Sequence, residues 1–241
     1  MWLDLLIVAM VAALADTTDR QTQTLPLPEG RALSVEITVG SVRIDGWDKP
    51  EVEIAIERRV PAPADQARLP VMIDDTPSRI AIRAVQADGG TDPTLRVDLI
   101  LRVPRAALIE KVQVMEGRIA INGFRGSITA DLRRGAIEGS DVSGSLRLET
   151  GLGPITLTAA RLSAGGVLRL RAFNGDLKLR LAERPPQARI LALALNGSIT
   201  STIPLTMKDS WGPRWGEATI GAGQPVISLD VITGTIEIRS P

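Results

Sequence analysis

The chain has 241 residues, 28 basic and 28 acidic side chains, and a formal net charge of zero at pH 7. This balance gives no reason to expect a nucleic acid as partner. The chain contains no Cys and no His, which excludes disulfides, thiol nucleophiles, Cys/His zinc sites and Ser-His-Asp triads. We therefore predict a non-enzymatic protein with no catalytic residues, no metal site and no cofactor.

Residues 1–15 read MWLDLLIVAMVAALA. The apolar run of about a dozen residues is too short to span a bilayer of roughly 30 Å as a helix. Ala13-Leu14-Ala15 is a small-x-small pattern of the kind that precedes signal-peptidase cleavage. We interpret residues 1–15 as a signal peptide and predict an exported protein, whether periplasmic, cell-surface or secreted, with no stable membrane span after cleavage.

Residues 16–110 contain stretches in which apolar and polar residues alternate, such as SVEITV, EVEIAIERR and LRVDLILRVP. Alternation with period two is typical of strands that bury one face. Turns rich in Pro and Asp, such as PAPADQ and DDTPS, separate these stretches. We predict an irregular, antiparallel-rich β segment over 16–110 that caps the rest of the chain.

Residues 111–241 carry a glycine repeat with a spacing of nine. An aliphatic residue follows two places after each glycine, and the position between them is mainly polar, which again indicates strands. Fixed-period self-similarity is typical of repeat architectures. The repeated glycines are Gly117, Gly126, Gly135, Gly144 and Gly153, followed by Gly166 and Gly175.

These patterns predict an all-β fold. We expect a single-stranded β-solenoid (β-helix) over 111–241, with right-handed crossovers and with glycines at corners where a positive φ is required. The spacing leaves the number of strands per turn open. A β-sandwich with short hairpins is the alternative, but hairpins have two-residue turns between strands of alternating direction, and strict nine-residue spacing favours stacking.

The stretch GSVRIDGWDKPEVEIAIERR (40–59) resembles the opening of the bacterial putative adhesin family, a family of domains of unknown function. Later stretches of the same kind are GSITADLRRGAIEG, LNGSITSTIPL and VITGTIEIRSP. The resemblance covers roughly residues 30–240. It implies a β-helical, mostly exported bacterial protein, and it assigns no functional residues to this chain.

Two groups of residues are candidates for partner binding. Arg169, Arg171, Lys178 and Arg180 occupy outward positions on successive units, where they would form a basic stripe for an anionic ligand or simply a solvated face. Trp211 and Trp215 lie in a segment that interrupts the repeat, where exposed aromatic rings would anchor a partner or cover the end of the core.

The carboxylates Asp131, Glu138, Asp141 and Glu149 cluster within the repeat. Paired carboxylates hydrolyse glycosides when they converge on one groove. These four fall in different phases of the unit, so we expect them to cap turns or form surface ion pairs instead.

The leading interpretation is a non-enzymatic, exported β-solenoid of the cell envelope, an adhesin-like or scaffold module that binds an unknown protein or glycan. The alternative is a self-assembling structural solenoid similar to bactofilins, since ISLDVITGTIEIRSP at the C-terminus would offer an open strand edge for self-association. A third hypothesis is a carbohydrate-active β-helix enzyme.

Overall fold

The computed structural model of the protein describes residues 17–208 and 212–241. It confirms the all-β class, with one short 3-10 helix (Pro63–Arg68) and sixteen strands within these residues. The first eight strands are β1 (Thr17–Pro26), β2 (Ala32–Trp47), β3 (Glu51–Val60), β4 (Met72–Asp75), β5 (Arg79–Ala84), β6 (Arg96–Pro104), β7 (Leu108–Asn122) and β8 (Ser127–Ser140). The other eight are β9 (Ser145–Leu152), β10 (Ile155–Ala160), β11 (Val167–Asn174), β12 (Leu177–Leu181), β13 (Ala188–Ser201), β14 (Thr206–Lys208), β15 (Arg214–Ile220) and β16 (Val226–Arg239).

Six parallel strands close into a barrel. β8 pairs with β9 along its first half and with β10 along its second half. β9 continues the sheet to β11, and β10 continues it to β12. β16 completes the ring, because its first half pairs with β11 and its second half with β12.

The predicted open β-solenoid is therefore wrong, since the sheet is a closed barrel of six parallel strands with extra strands. The physical reason lies in the long strands β8 and β16, each of which bends and pairs with different neighbours in its two halves. Glycine spacing reports where the chain bends, but it does not report whether the sheet closes.

The N-terminal part adds antiparallel strands to the barrel. β1 pairs with β3 and β3 with β6, both antiparallel, and β4 pairs antiparallel with β5. β2 runs parallel to β5, β6 and β7, and so joins these strands to the rest of the sheet. The division at residue 110 stays a prediction, and the signal-peptide assignment of residues 1–15 lies outside the described residues.

Two columns of glycines account for the nine-residue spacing. In the first column, a Cβ at Gly135 would lie 1.8 Å from the carbonyl oxygen of Gly117. In the second, a Cβ at Gly144 would lie 2.2 Å from the carbonyl oxygen of Gly126. Members 117 and 135 are eighteen residues apart, as are 126 and 144. The spacing of nine thus arises from two columns with a spacing of eighteen that alternate along the chain. In each column, only glycine allows the neighbouring backbones to approach so closely.

The interior is built from aliphatic side chains, with Phe124 as its largest fully buried member. Inward residues of paired strands share register, as in Ile119 beside Ile137 and Leu170 beside Leu148. Burying such a side chain contributes about 1.5–3 kcal/mol. This shared core fixes the register of the strands that bury one face, because a slip of one residue would turn their apolar side chains outward.

The C-terminal strand β16 lies inside the sheet. It pairs with β11 and β12 on one side and with β13 on the other. The predicted open edge at ISLDVITGTIEIRSP is therefore wrong. Across 17–208 and 212–241, the structure contains no helix with the length and apolar character needed to cross a membrane.

Candidate functional site

The four cations of the predicted basic stripe lie on two strands. Arg169 and Arg171 are on β11, between β9 and β16, whereas Lys178 and Arg180 are on β12, between β10 and β16. The structure thus brings them together as two pairs rather than as one ladder. The guanidinium of Arg171 lies 4.9 Å from the centre of the Phe173 ring. Their role in binding stays a prediction.

Of the two tryptophans singled out, Trp215 lies on β15 and is half-buried. The ammonium group of Lys208 lies 5.8 Å from the centre of its ring. Its indole nitrogen is buried and has no hydrogen-bond acceptor in the part of the chain that the structure describes. Trp211 lies outside the described residues, so its contribution stays a prediction.

The four carboxylates of the repeat do not gather at one point. Asp131 and Glu149 are register neighbours on β8 and β9. Glu138 lies 3.9 Å from Arg118, and Asp141 forms an ion pair with Arg161. Among residues 17–208 and 212–241, no group of three or more carboxylates is placed to hold a metal ion.

A groove of about 500 Å³ lies on the outer face of β1, β3, β6 and β2. Its floor is apolar, because Ala55 of β3 is the register partner of Ile100 of β6, and Ile100 is 45% exposed. We call it the arginine groove. Its defining side chains are Arg20, Ser41, Arg43, Ala55, Glu57, Arg59, Arg96, Asp98 and Ile100.

Glu57 lies between two arginines in this groove. Its carboxylate is 2.6 Å from a guanidinium nitrogen of Arg59 and 3.0 Å from Nε of Arg20. The hydrogen bonds from Arg59 and then from Arg20 hold the pKa of Glu57 below its ordinary value. Glu57 is therefore ionised at neutral pH.

Asp98 is the register partner of Glu57 on β6. Burial raises the pKa of Asp98, but hydrogen bonds from Arg96 and Ser41 outweigh that effect and lower it overall. Arg96 lies 3.0 Å from the Asp98 carboxylate, and the Ser41 hydroxyl donates to it over 2.6 Å. Each carboxylate of the groove is thus held as an anion by one donor on its own strand and one on a neighbouring strand.

Sequence reasoning did not find this groove, although one signal was present. In LRVDLILRVP the residues Arg96, Asp98, Ile100 and Arg102 share the outward face of β6, and Ile100 is apolar among charged residues. Strand pairing, which the sequence does not show, brings β1 and β3 alongside. The arrangement offers guanidinium donors, which bind carboxylates well, around an apolar floor.

Neither a family model nor a curated protein matches this chain. Its fold is similar to that of a putative cell adhesion protein from Clostridium sporogenes, with a TM-score of 0.55 and 11% identity over 93% of this chain and 100% of that one. A putative adhesin from Bacteroides fragilis covers 92% of this chain and 97% of its own at 9% identity, with a TM-score of 0.35. At 11% identity the likeness to the Clostridium sporogenes protein concerns the fold alone. The closed barrel does not support the β-helical expectation.

Proposed function

We propose that this protein is a non-enzymatic, exported, adhesin-like module of the cell envelope, which binds a carboxylate-bearing protein or glycan in the arginine groove. The observation that carries this proposal is the groove itself, where four guanidinium groups and two carboxylates surround the exposed Ile100. The fold likeness to a protein described as a putative cell adhesion protein supports the adhesin-like assignment.

The groove has the size and composition of a binding site. Its volume of about 500 Å³ lies within the range of ligand sites, which combine an apolar lining with a few convergent polar groups. Besides Glu57 and Asp98, Asp45 lies 2.8 Å from Arg43 beside the groove. Four arginines against three carboxylates leave a small excess of positive charge, which favours an anionic partner. Because these side chains stand on paired strands rather than on loops, they are held in place before the partner arrives.

The protonation states of Glu57 and Asp98 support a non-enzymatic role. A glycoside hydrolase needs one carboxylic acid that is protonated near neutral pH. Arginine partners lower the pKa of both groups. Lowered pKa values favour the anion, whereas this acid must be protonated. The carboxylates of Glu57 and Asp98 are better suited to orient the guanidinium groups that surround them.

The self-assembling alternative similar to bactofilins has lost its structural support. It depended on an open C-terminal edge, and β13 covers that edge of β16.

The proposal is tested by the retention of the full chain on immobilised polymers of defined composition. Polygalacturonate represents a carboxylated glycan, poly-L-glutamate an acidic peptide, and dextran a neutral glycan. We expect retention on one or both polyanions and none on dextran. Binding to only one of them would identify the source of the carboxylate, and equal behaviour on all three would overturn the proposal.

Matched variants locate the binding surface. Arg43→Gln in the groove is expected to weaken binding about fivefold, since an exposed ion pair contributes up to about 1 kcal/mol, whereas Arg83→Gln on β5 should have no effect. Ile100→Asp should abolish binding, whereas Met72→Asp, which alters a side chain 49% exposed on β4, should not. If each groove variant and its control lost the same amount of binding, the polymer would bind outside the arginine groove.

A further inference from the structure

Strand β13 is apolar on both of its faces. Ile190, Ala192 and Ala194 point into the core, and the larger Leu191, Leu193 and Leu195 point outward. Strands that are apolar on both faces are usually covered on both faces. Here Leu191 and Leu193 are half-buried and Leu195 is 40% exposed.

The outward leucines belong to a larger apolar surface that the sheet register assembles. Leu193 pairs with Trp215 on β15. Leu195 of β13 and Ile232 of β16 stand between the register pairs Ala194–Val231 and Asn196–Thr233. Phe173 of β11 stands at the same level, between the pairs that Ala172 and Asn174 form with β16. We call this surface the leucine face. Its apolar side chains are Leu152, Phe173, Leu191, Leu193, Leu195, Trp215 and Ile232.

A hollow of about 620 Å³ lies at one border of the leucine face. Leu152, which is 48% exposed, and Phe173 line its apolar side. Arg133 and Arg134 line its charged side. The hollow therefore offers cations beside apolar side chains at the margin of the apolar surface.

Cations stand at both ends of the face. At one end Arg133 has no ion-pair partner among residues 17–208 and 212–241, while Arg134 bonds to Glu116 over 2.8 Å. At the other end Lys208 lies over the Trp215 ring. Between them, Arg171 lies over Phe173, next to the carboxylates Glu149 and Asp230.

Carboxylates also lie inside the face, because Asp230 is the register partner of Leu193 and Glu217 is that of Leu191. Arg189 bonds to Glu217 over 3.0 Å. With Arg147 and Arg169, which are register partners on β9 and β11, the face and its border carry more cations than carboxylates.

The charges around the leucine face favour an anionic bilayer over a second copy of the chain as its binding partner. Two copies of this face packed together would bring their border cations close to each other, which charge repulsion opposes. A bilayer with anionic lipids offers both complements, because its acyl region accepts apolar side chains and its phosphates accept cations. Trp, Phe and long cationic side chains are the groups that suit this boundary.

We propose that the leucine face docks on the surface of an anionic phospholipid bilayer. This goes beyond the proposed function, because the face shares no residue with the arginine groove. In the docked state Leu193, Leu195 and Phe173 enter the headgroup boundary, while Arg133 and Lys208 contact phosphates.

The absence of native cysteine makes a local test possible. A nitroxide is attached to Leu195→Cys in the full chain, and Ile100→Cys, at a site of similar exposure in the arginine groove, is the matched control. Vesicles contain phosphatidylcholine alone or with a minority of phosphatidylglycerol. With anionic vesicles we expect the label at 195 to gain accessibility to oxygen and to lose accessibility to a water-soluble nickel complex. The label at 100 should show neither change.

Charge variants test the same proposal without altering the apolar side chains. Arg133→Glu and Lys208→Glu should each weaken the vesicle-dependent signal at 195 by at least about fivefold, as expected for one cation at an anionic surface. Residues 1–15 are common to all variants, so that apolar segment does not account for a difference between a charge variant and its parent when both are read at position 195.

Three outcomes would overturn the proposal. The label at 195 shows no change with anionic vesicles, or it changes equally with neutral ones, or it is already shielded without vesicles. The last result would mean that a second copy or a segment of this chain covers the face. Unchanged circular dichroism of the labelled variants establishes that each is folded.

Discussion

At the scale of single residues, Thr150 is the anomaly of the core. Its side chain is fully buried on β9, with Leu132 and Ala172 as inward register neighbours. Its hydroxyl has no hydrogen-bond partner within the described part of the chain. A buried hydroxyl without a partner loses its bonds to water and regains nothing, which costs about 1–3 kcal/mol.

Thr150→Val should therefore stabilise the protein. Valine keeps the shape and removes the unpaired hydroxyl, so we expect the free energy of unfolding to rise by about 1 kcal/mol. The measurement is the urea midpoint at constant m-value. Thr158→Val is the control, because the Thr158 hydroxyl donates to the carbonyl of Gly139 over 3.2 Å and its loss should lower stability. A lower midpoint for Thr150→Val would mean that the hydroxyl has a partner.

At the scale of elements, the glycine columns hold neighbouring strands at their bends. Gly135 combines two constraints, a φ of +137° and a Cβ position 1.8 Å from a backbone oxygen of Gly117. Neither strand can move away from an added Cβ at this position without breaking the hydrogen bonds that pair the two strands.

Gly135→Ala should be among the most damaging single changes in the chain, with a loss of at least about 4 kcal/mol or failure to fold. Gly30→Ala is the control. Gly30 also has a positive φ, +83°, but a Cβ there would meet nothing within 4 Å, so the expected loss is only about 1–2 kcal/mol. Similar losses at both positions would show that backbone conformation, rather than close approach, explains the glycine column.

The sequence predicts individual elements well and their assembly poorly. Alternation correctly indicated strands such as β3, β6 and β16, because one-sided burial leaves a period of two in the chain. The glycine spacing correctly indicated bends, but it merged two columns into one series. Closure and the arginine groove escaped prediction because both depend on pairings between strands distant in sequence, such as β2 with β6 and β16 with β11.

The leucine face shows a different limit of sequence reasoning. In RILALALNG both alternating sets are apolar, so the pattern does not reveal which set is inward. The structure places the smaller Ala192 and Ala194 inside. Which set lies inward depends on the packing of the opposing strands in the core, rather than on β13 itself.

At the scale of the whole molecule, the last strand in sequence is central in space. β16 is hydrogen-bonded on both sides, whereas β1, among residues 17–208 and 212–241, pairs with β3 alone and is polar and mostly exposed. Protection against amide exchange follows the free energy of the opening that exposes each amide.

We expect amides of 226–239 to exchange last and those of 17–26 to exchange first, measured by hydrogen–deuterium exchange with mass spectrometry. Strand β13, which β16 pairs along most of its length, is the internal reference and should exchange close to β16. Rapid exchange across 226–239 would contradict the pairing of β16 on both sides.

The two proposed surfaces belong to different ends of the strand order. The arginine groove lies on β1, β3, β6 and β2, whereas the leucine face lies on β9, β11, β16, β13 and β15. One end would hold the protein to a bilayer and the other would remain available to a partner. Each can be disabled without altering the other, so the two proposals are independent.

The position of β16 also has a consequence for synthesis. Translation delivers β11, β12 and β13 before the strand that must lie between them. Until residues 226–239 emerge, the ring is incomplete and β13 lacks its main neighbour. On the ribosome the ring of such a chain therefore stays open until residues 226–239 have emerged, and β11, β12 and β13 keep unpaired edges until then.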